Sequence, residues 1–180
     1  LVECQWHAEV RKLIEDAARL GTGVLKGPSP VKRKSRVTQS QQGMIAMVLK
    51  ESIAPESRCL SPWNVFPDPD CGESIHDGSY IWERDSITTK RMRDLKGLPG
   101  YITQQIDKVL EQGPSGKYTS DYRGGETKAK ESDVFEIWYY TGVAERDDLI
   151  AAGVDLPEDG DVSVNCILTM VNDCVIKGAL

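Results

Sequence analysis

The sequence predicts an α+β domain, with an antiparallel or mixed sheet of at least four strands, two to three packed helices and a long flexible insertion. Three stretches carry that expectation. Residues 133–141 include an almost unbroken apolar and aromatic run, Val134-Phe135-Glu136-Ile137-Trp138-Tyr139-Tyr140, which reads as a central strand. Residues 162–171 and 174–177 flank Asn172-Asp173, so they read as a β-hairpin with a two-residue turn. Residues 4–20 place Trp6, Val10, Leu13, Ala17 and Leu20 at spacings of three and four, the stripe of an amphipathic helix, with Gly21 suited to close it.

Composition bounds the rest. A chain of 180 residues that is 39% hydrophobic and 28% charged has the make-up of a soluble single domain. No apolar run approaches the roughly 18 residues that a membrane span needs. The formal charge of −6 argues against a dedicated nucleic-acid-binding module, because phosphate affinity comes chiefly from Lys and Arg. It leaves room for a local basic patch. Five cysteines, Cys4, Cys59, Cys71, Cys166 and Cys174, are odd in number and irregular in spacing, and read as reduced thiols of an intracellular protein. Cys166 and Cys174 are the pair placed to face each other across the hairpin. A start at Leu1 and an end directly after a strand-like run lead us to expect a piece of a longer chain.

Taken in order, the first helix carries its charged residues Glu9, Arg11, Lys12, Glu15, Asp16 and Arg19 on the side away from the stripe. Cys4 and His7 lie one turn apart on it, but with His76 the only other histidine, a metal reading is declined. Gly21, Gly23 and Gly27 follow a helix and fit no phosphate-loop spacing, so a turn is expected. Residues 28–42 are polar and basic, with Lys32, Arg33, Lys34 and Arg36 within five residues, which reads as a solvated hairpin arm or a loop touching phosphate. Residues 44–49 and 57–60 read as two short extended segments that pair with each other through Ile53-Ala54-Pro55.

Residues 60–85 organise the chain. Pro62, Pro67 and Pro69 each fix φ near −65° and remove a backbone donor, so a stiff extended loop is expected and a helix is not. Trp63, Val65 and Phe66 are expected to pin it to a core while its carboxylates face water. After Asp77-Gly78, the alternation of Tyr80, Trp82 and Arg84 with Ile81, Glu83 and Asp85 reads as a strand. Thr88 or Thr89 then caps a short basic helix ending at Gly97, and Pro99 opens a second helix with Ile102, Ile106, Val109 and Leu110 on one face, closed by Gly113. The second of these lacks the arginine density of a DNA-reading helix. Residues 114–132 form the flexible insertion, residues 147–153 a helical turn or two, and residues 156–161 an acidic loop.

Chemistry is sparse. Asp68, Asp70, Glu73 and Asp77 form the densest acidic cluster, and Asp70 with Glu83 outlines a metal-dependent nuclease pair. Where such a site places a lysine two residues later, this chain has Asp85. Two histidines and no nucleophile-elbow pattern leave little for acid–base or nucleophilic catalysis. The chain reads as a non-enzyme that needs no cofactor and no metal. A metal-dependent nuclease or processing enzyme using this acidic loop is the alternative, and an adaptor working through residues 114–132 a third reading.

Ser61-Pro62-Trp63, the Pro67-Asp68-Pro69 loop, Asp77-Gly78 and the Tyr80-Ile81-Trp82-Glu83-Arg84 strand leading into a short basic helix together resemble the portal proteins of tailed bacteriophages, of the podovirus group. Leu20-Gly21-Thr22-Gly23-Val24-Leu25-Lys26-Gly27-Pro28 is similar to their turn after a wing helix, and residues 134–140 to their following strand. Trp63, Pro67, Asp68, Pro69 and Trp82 are the signature positions. The resemblance implies a wing-region piece of a much longer subunit, one domain over residues 1–180. Its copies would form a dodecameric ring at the capsid vertex, double-stranded DNA would pass through, and terminase, tail adaptors and capsid or scaffolding proteins would dock. It implies a place in the virion, reached through the host cytoplasm, and no catalytic residues. Lys32, Arg33, Lys34 and Arg36 are the candidates for contact with DNA or an acidic partner.

Overall fold

The computed structural model describes residues 6–41, 44–114, 133–156 and 160–179, and their arrangement is α+β. The sequence reading treats the chain as one domain; its contacts gather into two compact units, Leu1–Pro62 and Trp63–Leu180.

In the first unit, helix α1 (Trp6–Leu20) is followed by two long antiparallel strands, β1 (Val24–Gln41) and β2 (Met44–Leu60). Gly21 closes α1 with φ +80° and donates its N–H to the Ala17 carbonyl, the left-handed stop that glycine takes without strain. The basic arm is therefore a full strand, and the proposed pairing of residues 44–49 with 57–60 does not form. Both lie in β2 and both pair with β1. Ile53-Ala54-Pro55 continues the strand because Pro55 stands opposite Pro30, and a non-hydrogen-bonded pair in an antiparallel ladder needs neither N–H.

The expected polarity of α1 is also corrected. Glu9 and Asp16 are each only 7% exposed, whereas Trp6 and Ile14 are open to solvent. Cys59 is the reason. The Cys59 backbone N–H donates to Glu9 Oε2 at 2.7 Å and its thiol to Asp16 Oδ2 at 3.8 Å, so the acidic side of the helix faces an outward-pointing strand donor.

The second unit is a five-stranded antiparallel sheet ordered β3 (Val65–Pro67), β4 (Tyr80–Thr88), β5 (Val134–Glu145), β6 (Ser163–Val171), β7 (Cys174–Ala179). The aromatic run is the central strand, as its composition predicts. One face carries Ile87, Phe135, Ile137 and Val171, packed on Met92 of α2 (Thr89–Asp94) and on Ile106 and Val109 of α3 (Thr103–Gln112). On the other face Cys166 and Leu168 pack with Leu149 of α4 (Arg146–Ala151) and with Val154. Thr88 caps α2 through its hydroxyl, which accepts from the Arg91 N–H. Pro99 does not open α3: the helix starts four residues later, with Ile102 at the cap, where the Ile102 N–H is held by the Ile176 carbonyl.

The β6–β7 turn is the two-residue one expected, with φ of 47° at Asn172 and 61° at Asp173. Its register overturns the facing-cysteine expectation. Cys166 is opposite Gly142 of β5 and Cys174 opposite Val171, and both thiols are free. Cys4, residues 115–132 of the expected insertion and residues 157–159 of the acidic loop lie outside the described residues. No helix among the described residues is long and apolar enough to cross a membrane.

Candidate functional site

The proline-rich loop is held by one carboxylate. Asp68 is buried; its Oδ1 accepts the Asp70 N–H at 3.0 Å and its Oδ2 the Ser79 N–H at 2.9 Å, while its own N–H donates to the Tyr80 carbonyl at 3.0 Å. These backbone donors, Asp70's first, hold the Asp68 carboxyl below its ordinary value. The expectation that the loop's acids face water thus fails at Asp68. Single 3₁₀ turns at Pro69–Cys71 and Ile75–Asp77 fold the loop back so that these contacts close. Pro67 ends β3, an edge strand, where its missing N–H leaves no ladder bond unmade.

The aromatics expected to pin the loop are instead open. Phe66 is 40% exposed and Trp63 more so, and of the three only Val65 is buried. Register explains what Phe66 does: it lies opposite Trp82, which lies opposite Tyr140, and in the next row Arg84 lies opposite Trp138 and Trp138 opposite Met170. Directly opposed residues share a sheet face. The result is an aromatic platform, with Phe66 and Trp138 ring centres 5.6 Å apart, Trp82 and Trp138 edge to face at 6.2 Å, and Trp82 and Tyr140 at 4.8 Å.

Arg84 borders it. The guanidinium stands 5.9 Å from both the Phe66 and Trp138 rings and is oriented by Asn64, whose Oδ1 accepts from Nε at 3.2 Å and Nη2 at 2.9 Å. Phe66, Trp82, Trp138, Met170 and Val171 line an open pocket of about 380 Å³, with the exposed Asp173 at its rim. Such a surface binds apolar or planar groups and offers an anion at one side.

The basic candidates sit on the ribbon. Lys32, Arg33 and Lys34 pair in register with Ile53, Ser52 and Glu51, so Lys32 and Lys34 share one face with Ile53 and Glu51 while Arg33 takes the other. Lys34 Nζ lies 3.1 Å from Glu51 Oε1 across the strands. Arg36 pairs with Leu49 through its backbone, and its side chain is outside the described ones. Of the signature positions, Trp82 lies in the platform, Asp68 braces the loop, and Trp63, Pro67 and Pro69 are exposed around it.

Among the described residues no group of three or more His, Cys, Asp or Glu side chains is placed to hold a metal ion. Asp70 is exposed on its turn while Glu83 stands opposite Tyr139 in the sheet. Burial pushes the Cys59 and Cys166 thiols up, away from the reactive thiolate. No family model matches the chain, and neither does any curated protein. Phe66 and Trp138 entered the sequence reading as structural aromatics, and Met170 and Asp173 not as site residues at all. Their signal was strand alternation, readable only once the register placed Phe66, Trp82 and Tyr140 in one row.

Proposed function

We propose that the chain is a non-catalytic structural part of a phage portal subunit, from its wing region. In that reading copies surround the channel through which double-stranded DNA enters and leaves the capsid, and present surfaces to terminase, tail adaptors and capsid or scaffolding proteins. The observation that carries it is the fold of the stretch with the resemblance: Pro67-Asp68-Pro69 is not a loose linker but is tied by Asp68 to Ser79 and Tyr80 at the start of the Trp82-Glu83-Arg84 strand. A loop braced to a central sheet keeps its shape under load, as a ring wall requires. The long ribbon, with a cross-strand Lys34–Glu51 pair and exposed apolar residues, suits an arm that reaches for a neighbour.

The test is to express the complete open reading frame that encodes this sequence, measure its mass by light scattering after size exclusion, and image it in negative stain. A ring with a central hole is the expected result. A compact monomer overturns the reading; magnesium-dependent cleavage of DNA that is lost in Asp70→Asn and Glu83→Gln variants would replace it with the nuclease.

A further inference from the structure

Charge is divided sharply along the chain. Residues 1–62 hold ten Lys and Arg against six Asp and Glu, and residues 63–180 hold 12 against 22, a formal +4 beside −10. Strand β1 alone carries five cations, Lys26, Lys32, Arg33, Lys34 and Arg36, and no acid. The ribbon is also short of packing. Its 16 paired rows span roughly 50 Å at ~3.3 Å per residue, against about 22 Å for the 15-residue α1. A two-stranded ribbon is marginal in water without a further covering layer. Yet Ile53 is 75% and Met47 74% exposed, and both lie on the face of Lys32 and Lys34. The platform of the second unit has the complementary character: an open apolar bed of Phe66, Trp82, Trp138 and Met170, an acid at its rim in Asp173, and a unit of opposite net charge around it.

We infer that the aromatic platform is the docking site for the β1–β2 ribbon of a second copy of this chain, with Ile53 entering the pocket and Lys32 or Lys34 meeting Asp173. The contact is heterologous, since ribbon and platform are different surfaces, and contacts of that kind propagate from copy to copy, forming a ring where the rotation closes. Charge steers the encounter and apolar burial holds it. The inference deepens the ring reading by naming the surfaces that meet, and rests on it only in that copies of the chain associate.

The experiment places a photoreactive benzoylphenylalanine at position 53 of the full chain and irradiates a mixture of isotopically light and heavy copies at low salt. Links between copies from position 53 to peptides bearing Phe66, Trp82, Trp138 or Met170 are expected. They should disappear at high salt and in a Lys32→Glu, Lys34→Glu double variant, whose self-association in sedimentation should be roughly tenfold weaker. Asp173→Asn keeps a residue tolerant of positive φ, so its circular dichroism should be unchanged while association also weakens. Rings in which position 53 links elsewhere overturn the docking and leave the ring reading standing. A chain monomeric at every concentration overturns both. Nucleic acid retained by the ribbon, with no links between copies, overturns the docking in favour of a polyanion partner.

Discussion

Asp68 Oδ2 and the Ser79 backbone N–H meet at 2.9 Å, closing the loop of residues 68–79 at its base. Asp68→Ala leaves the Asp70 and Ser79 donors without their acceptor and should lower the thermal midpoint. Asp68→Asn keeps one carbonyl acceptor and should fall between it and the native chain. Because the folded carboxyl sits below its ordinary value of 3.8, its contribution is present above that value and fades as pH falls through the lower folded one. Differential scanning calorimetry of the three proteins at neutral and acid pH checks this order.

Glu9 anchors the first unit in a comparable way. The Cys59 N–H and then the Lys12 ammonium, at 2.7 and 2.6 Å, hold its carboxyl below the ordinary 4.5, against the opposing effect of burial. The sign again makes the stabilisation present above that value and lost on acidification through the folded one. Glu9→Gln should flatten the acid limb of unfolding, followed by the fluorescence of Trp6 on the same helix. An unaltered acid limb would show that another group dominates.

Tyr139 stands opposite Glu83 on the sheet, and burial, with Asp85 and Glu83 nearby, pushes its phenol up to about 12. A raised folded value means that its contribution is complete below the ordinary 10.0 and is lost as pH rises through about 12. Ultraviolet titration should therefore show a late phenolate that is missing from Tyr139→Phe. A titration curve unchanged by that substitution would assign the late group elsewhere.

Burial separates two isoleucines of equal size. Ile106 is fully buried under the sheet, and Ile106→Ala should cost about 2–5 kcal/mol in urea unfolding. Ile53→Ala, on the exposed ribbon, should change folding by no more than ~0.5 kcal/mol, which is what makes position 53 a clean place for a probe.

Much of the fold is legible in the residues, for identifiable reasons. The aromatic run at 134–140 supplies its own argument for a central strand, and Asn172-Asp173 specifies its turn because few other residues accept positive φ at both positions. The ribbon was harder, since β1 has no alternation to betray it: Lys32, Arg33 and Lys34 are polar on both faces. The buried Glu9 and Asp16 were unreadable for the opposite reason. Their partner is Cys59, whose N–H meets Glu9 50 positions away and whose thiol meets Asp16 43 positions away, and it leaves no trace in composition. The platform depends on register in the same way, because Phe66 and Trp138 are separated by 72 positions and meet only across β4.

The ribbon's two-strandedness leaves a record that can be read without any partner. In an antiparallel pair, alternate residues of each strand turn their amides toward the neighbour and the rest turn them outward to water. A strand inside a wider sheet hides both sets, but among the described residues β1 and β2 pair only with each other. Their deuterium uptake should therefore run as a comb of period two, slow and fast teeth alternating along β2. Cys59 is where the comb loses a tooth: its amide leaves the ladder only to be taken by Glu9, and it should exchange slowly for as long as that helix stays in place.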